Sequence, residues 1–101
     1  MKLTLADRKE EAGDAISFFL LPDAPLAWQA GQFLHYALPH QNPDQRGIER
    51  WFTIASAPHE GRVQVTTRFT ADKGSTFKRA LRDLPIGATI EADGPEGDFI
   101  I

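Results

Sequence analysis

Between Arg62 and Phe69 the chain alternates without interruption. Val63, Val65, Thr67 and Phe69 share one parity, and Arg62, Gln64, Thr66 and Arg68 share the other. Successive side chains of an extended strand point to opposite faces, so this pattern predicts a strand with one dry and one wet face. Shorter runs read the same way. Leu3 and Leu5 alternate with Lys2 and Thr4, and Ala15 to Leu21 is apolar on both faces. Gly31-Gln32 opens a run from Phe33 to Leu38 that Pro39 closes, and Trp51 to Ala55 and Thr89 to Asp93 complete the set. Pro, Gly, Asn or Asp separates most of these runs. Six short strands within 101 residues predict a mostly β domain, an antiparallel barrel or sandwich.

One segment follows a different period. Phe77, Ala80, Leu81 and Leu84 fall on one face of a helix, with Lys78, Arg79 and Arg82 on the other. The helix is expected over about residues 75–84. Ser75 or Thr76 can cap its start, because a hydroxyl satisfies a free backbone N–H there. Gly74 lets the chain enter tightly, and Pro85 and Gly87 end the helix. The polar stretch from Pro39 to Glu49 is long for so small a domain, which marks a surface excursion or a ligand contact.

The sequence has no cysteine, which removes disulfides, thiolate metal sites and cysteine nucleophiles and fits a reducing, cytoplasmic compartment. The first residues lack the apolar run of a signal peptide, and Ala15 to Leu21 is too short to cross a bilayer. His35, His40 and His59 lie far apart without a partner at ligand spacing, so no metal site is expected. Net charge is −3, which speaks against nucleic acid as a partner. Its distribution is uneven: residues 50–82 carry seven basic and two acidic side chains, whereas residues 83–101 carry five acidic and no basic ones. A local basic block in an acidic chain suits a small anion better than a long polyanion.

Arg50-Trp51-Phe52-Thr53-Ile54-Ala55-Ser56-Ala57-Pro58 joins a fixed cation, a flat apolar ring and a hydroxyl within four residues. A flavin nucleotide needs such a set: charge for its phosphates, an aromatic wall for its ring, and hydrogen bonds at the ring edge. Each part has a plainer use. Phe52 can be core, Arg50 a surface cation, and Ser75 a helix cap with no ligand.

The nine residues from Arg50 to Pro58 resemble the Arg-x-aromatic-Ser/Thr hallmark of the flavin-binding domain of the ferredoxin–NADP reductase superfamily. Phe52 stands where the family usually has Tyr, which keeps the stacking face and loses the phenol. Ala30-Gly31-Gln32-Phe33 is similar to the family's Pro-Gly-Gln-aromatic strand. Val65 to Phe69 followed by Gly74 to Lys78 is similar to its strand and phosphate-binding helix start. Leu84-Pro85-Ile86-Gly87 and Gly94 to Phe99 are similar to its closing motif. These motifs come in family order across residues 30–99.

The resemblance implies a six-stranded antiparallel Greek-key barrel with one capping helix. It implies FAD as cofactor, with FMN as the alternative, and a part in passing electrons between a nicotinamide nucleotide and an unidentified acceptor. By the same resemblance, Arg50 pairs with the pyrophosphate, Phe52 stacks on the isoalloxazine, and Thr53, the expected catalytic residue, bonds near flavin N5. Gly74, Ser75 and Thr76 hold phosphate at the helix N-terminus, where the dipole favours an anion. Thr67 approaches the ring edge. Strict alternation puts Arg50 and Phe52 on one face and Thr53 on the other, so a twist, a bend or a backbone contact must bring all three to one ligand.

No Gly-x-Gly-x-x-Gly and no alternating strand–helix region occurs. The whole chain, residues 1–101, is therefore expected to be the flavin-binding half, with the nicotinamide-binding domain in a longer parent chain. The alternative is a non-catalytic barrel that keeps the fold and binds protein or nothing.

Overall fold

The computed structural model describes residues 1–69 and 75–97. Among them are six strands: β1 (Lys2–Glu10), β2 (Ala15–Pro22), β3 (Phe33–Ala37), β4 (Glu49–Thr53), β5 (Val63–Arg68) and β6 (Thr89–Glu96). One α-helix, α1 (Thr76–Asp83), lies between β5 and β6, and a short 3-10 turn spans Pro58–Glu60. The alternating segments did become strands, with shifted ends. β1 runs five residues past Leu5, where a register shift between Leu5 and Asp7 lets it stay paired with β2. β4 ends at Thr53, two residues before Ala55.

All strand pairings are antiparallel, and the strands form one sheet in the order β4-β3-β6-β1-β2-β5. The last strand thus enters the middle of the sheet and joins the β3–β4 hairpin to the β1–β2–β5 group. The ladder does not close into a complete barrel, because β4 and β5 remain as its two edges. They approach each other just past β4, where Ala55 N–H donates to the Gln64 carbonyl at 2.8 Å.

The dry faces meet in one core that includes Leu3, Leu5, Phe18, Leu20, Leu34 and Tyr36. Helix α1 covers it: Phe77 and Leu81 are buried and lie among Leu20, Tyr36, Phe52, Val65 and Ile90. Burying large apolar side chains stabilises by about 1.5–3 kcal/mol each, so the helix is held by this face more than by its own propensity. Ser75 caps its start by accepting from Lys78 N–H at 3.2 Å. At the other end the Arg8 guanidinium donates to the carbonyls of Leu81 and Leu84, a cation on the negative end of the dipole.

Gly94 has a backbone that requires glycine. Its φ is +120°, and a Cβ there would lie 3.1 Å from Leu34 Cδ2 and 3.3 Å from the Phe33 carbonyl oxygen. Among the described residues no helix is long and apolar enough to cross a membrane.

Candidate functional site

Strand β4 has alternating exposure, and that alternation builds the site. Arg50 is buried, with 6% of its surface exposed, and Phe52 is half-buried on the same side. Trp51, 52% exposed, and Thr53 point the other way. The Phe52 ring packs at 5.8 Å from Tyr36 and at 5.8 Å from Phe77 of α1. The Arg50 guanidinium lies over the Phe77 ring at 5.3 Å. Arg50 and Phe52 therefore face the start of α1, as their shared parity requires.

The guanidinium is anchored by its own neighbourhood. Its Nη1 lies within donating distance of the carbonyls of Arg46, Gly47 and Glu49, at 3.0, 3.1 and 2.7 Å. Its Nη2 donates to Asp44 Oδ1 at 3.2 Å. The second Asp44 oxygen, Oδ2, accepts from the backbone N–H of Thr76, the first residue of α1, at 3.1 Å. One carboxylate thus bridges the fixed cation of β4 and the positive end of the helix. Asp44 also accepts from Arg46 N–H at 3.0 Å, and its own N–H donates to Thr76 Oγ1 at 2.9 Å. The backbone N–H of Thr76 does most to lower the Asp44 pKa; partial burial opposes it, and the backbone N–H of Arg46, the side-chain bond from Arg50 and the Arg50 charge add to the lowering. His40 completes the cluster, donating Nδ1–H to the Leu38 carbonyl at 2.7 Å with Nε2 2.8 Å from Thr76 Oγ1.

Arg50, Phe52 and Thr76 therefore converge, with Ser75 adjacent as the buried helix cap. Gly74 lies outside the described residues. Thr67 is buried on β5, where it pairs with Ile16 of β2, on the opposite edge of the sheet from β4. Thr53 lies across β4 from Arg50 and Phe52. With Phe33 and Trp51 it lines an open concavity of about 340 Å³. Trp51 is braced there by Phe33, edge-on at 5.2 Å, and by His35 at 4.6 Å. The twist needed to bring Thr53 and Phe52 to one ligand would lie at this end of β4.

Sequence reasoning marked the Pro39–Glu49 stretch as a ligand contact or surface loop and did not single out Asp44 or His40. The available signal was an isolated acid in a long polar loop just before a basic block.

The donor set suits a phosphate. A guanidinium and a helix N-terminal N–H already hold a two-oxygen anion between them, and a phosphate presents a similar pair of oxygens to the same donors. The half-buried Phe52 ring beside this slot suits an apolar ring system. An antiparallel β domain with an anion slot between a strand arginine and a helix start, next to an aromatic wall, has the make-up of a nucleotide-cofactor domain.

The sequence match identifies the kind. Residues 2–101 match the profile of the oxidoreductase FAD-binding domain, and the chain belongs to that family. It is a flavoprotein domain of the ferredoxin reductase-like type, and its cofactor class is FAD. Among solved structures it is similar to the GcoB reductase of Amycolatopsis, at 27% identity and a TM-score of 0.77, covering 100% of this chain and 30% of that one. It also shares its fold with the flavohem-like FAD/NAD binding domain of nitric oxide dioxygenase from Vibrio cholerae, at 16% identity and a TM-score of 0.76, covering 99% and 45%. The cytochrome b5 reductase domain of Ulva prolifera nitrate reductase gives 19% identity and a TM-score of 0.75, covering 95% and 40%. The chain thus spans 30–45% of the length of these three structures. No curated protein sequence matches it.

Proposed function

We propose that this chain is the flavin-holding part of an NAD(P)H-dependent oxidoreductase. Its FAD pyrophosphate would be held between Arg50 and the N-terminus of α1. The observation that carries this reading is the convergence of the Arg50 guanidinium and the Thr76 N–H on one anion position, both bonded to a single carboxylate. Ser75 caps the helix start and Thr76 adds its hydroxyl, with Gly74 as the further phosphate contact of this reading. Phe52 offers its ring face as one wall of the isoalloxazine site. Thr53 orients the ring through its hydroxyl or backbone at N5, and Thr67 contributes at the ring edge from β5.

The chemistry supplied by a bound flavin is the acceptance and release of a hydride or of single electrons at its ring. The protein's part is to bind and orient that ring. The NAD(P)H site belongs, on this reading, to a separate domain of a longer parent chain, and the electron acceptor is a further partner. The absence of cysteine suits a cytoplasmic, reducing setting.

A titration with FAD tests the reading. Binding at about micromolar strength is expected, seen as quenched flavin fluorescence and a raised melting temperature. If saturating FAD moves neither signal, the assignment fails and the non-catalytic barrel stands in its place.

A further inference from the structure

We propose that Asp44 is a resident anion, which occupies the position of one flavin phosphate group and must leave it for the nucleotide to bind. The affinity of the domain for phosphate-bearing flavins is then set by Asp44. This inference rests on the FAD-binding reading and names a residue that neither the family hallmark nor the expected site contains.

The geometry is specific. Asp44 Oδ1 takes Arg50 Nη2 at 3.2 Å and Asp44 Oδ2 takes Thr76 N–H at 3.1 Å. These are the two groups the nucleotide needs, and one carboxylate engages both. A phosphate cannot accept from these same N–H bonds while the carboxylate stays, and two anions sharing the slot would repel each other. The strap carrying Asp44 is pinned to the same helix start by Asp44 N–H and His40, both on Thr76 Oγ1. Asp44 retains 23% of its side-chain surface and Arg50 only 5%, so the carboxylate can turn out to water while an incoming phosphate takes over the buried guanidinium charge. Arg50 stays in place when it does, because three backbone carbonyls hold its Nη1.

The exchange is one anion for another at the same donors, with no bond made or broken covalently. A site whose open form is a minor population binds more weakly by that fraction. Riboflavin has no phosphate to place in the slot, so its binding does not require the exchange.

The test compares wild type with Asp44→Asn, which keeps the shape of the strap and removes its charge. The probes are FAD, riboflavin and inorganic pyrophosphate. Asp44→Asn should bind FAD about tenfold tighter or more, and pyrophosphate should raise its melting temperature more than that of wild type. Riboflavin affinity should be equal in the two proteins. Equal or weaker FAD binding by a folded Asp44→Asn, with wild type binding FAD normally, overturns the proposal and makes Asp44 a brace of the site. Absence of FAD binding in both proteins is a different result, which removes the FAD-binding reading itself.

Should Asp44→Asn fail to fold, wild type decides. The Thr76 amide resonance of the ¹⁵N-labelled protein should shift at saturating pyrophosphate, as its bond passes from carboxylate to phosphate. An unmoved resonance overturns the proposal.

Discussion

Asp44 Oδ1 and Arg50 Nη2 lie 3.2 Å apart, in an ion pair whose acidic member is also bonded to the first N–H of helix α1. The pair ties the loop before β4 to the strand and to the helix. Arg50 is therefore both a candidate ligand and a structural fastener. Its Nη1 is near the carbonyls of Arg46 and Gly47 in the loop and of Glu49 at the start of β4, and its guanidinium covers Phe77.

That double role shapes the first prediction. Arg50→Ala removes charge-assisted bonds from a buried position, which costs roughly 1.5–3 kcal/mol of folding stability. It should also weaken FAD binding by about ten- to a hundredfold, with riboflavin affected much less. Denaturant titration and flavin titration on the same variant separate the two effects. Equal losses for FAD and riboflavin would assign Arg50 to structure alone.

The second prediction concerns acid. The folded pKa of Asp44 lies below its ordinary 3.8. As pH falls, the unfolded chain therefore takes up this proton first. The stabilisation from Asp44 is complete above about pH 4 and is lost as pH drops through the lower folded value. Asp44→Asn should flatten this part of the stability curve, measured by melting temperature between pH 5 and about pH 2. An unchanged acid slope would show that the ion pair contributes nothing to the fold.

Tyr36 supplies the third. Its ring is buried, and its Oη has no hydrogen-bond partner among the described residues. Burial raises the phenol pKa above its ordinary 10.0. The unfolded chain then ionises first as pH rises, so stability is complete below pH 10 and declines above it. Tyr36→Phe should remove that alkaline decline. It should also stabilise the flavin-free protein by about 1 kcal/mol, because it deletes an unsatisfied buried hydroxyl at nearly constant shape. Destabilisation by the same substitution would mean that the hydroxyl is bonded.

Thr53 and the nicotinamide donor give the fourth. Thr53→Ala should shift the spectrum or potential of bound flavin while leaving affinity within a few fold. NADH mixed anaerobically with the FAD-loaded chain should bleach the flavin slowly and without saturation. Holding a donor against the ring supplies about 7–11 kcal/mol of such a barrier, and the residues proposed above to hold a nucleotide are proposed for the flavin. Rapid, saturable bleaching in stopped flow would place a nicotinamide site within residues 1–101.

The sequence by itself determined the elements and much of the candidate site. Alternation marks Val63 to Arg68 as a strand because side-chain direction depends only on the local backbone. The apolar stripe through Phe77 and Leu81, with Ser75 before it, marks α1 for the same reason. The run from Arg50 to Thr53 carried its chemistry in adjacent residues, and the opposed faces of Phe52 and Thr53 followed from parity. Tertiary structure alone decided that β6 enters between β3 and β1, that β4 forms an edge, and that the sheet stays open there. It also chose Asp44, 32 residues from Thr76, as the carboxylate that reaches the helix start. Such pairings join residues distant in sequence, and the path of the loop and the packing of α1 on the core select among many acids. Alternation could place Tyr36 indoors, but only the assembled core shows that its hydroxyl has no partner among the described residues.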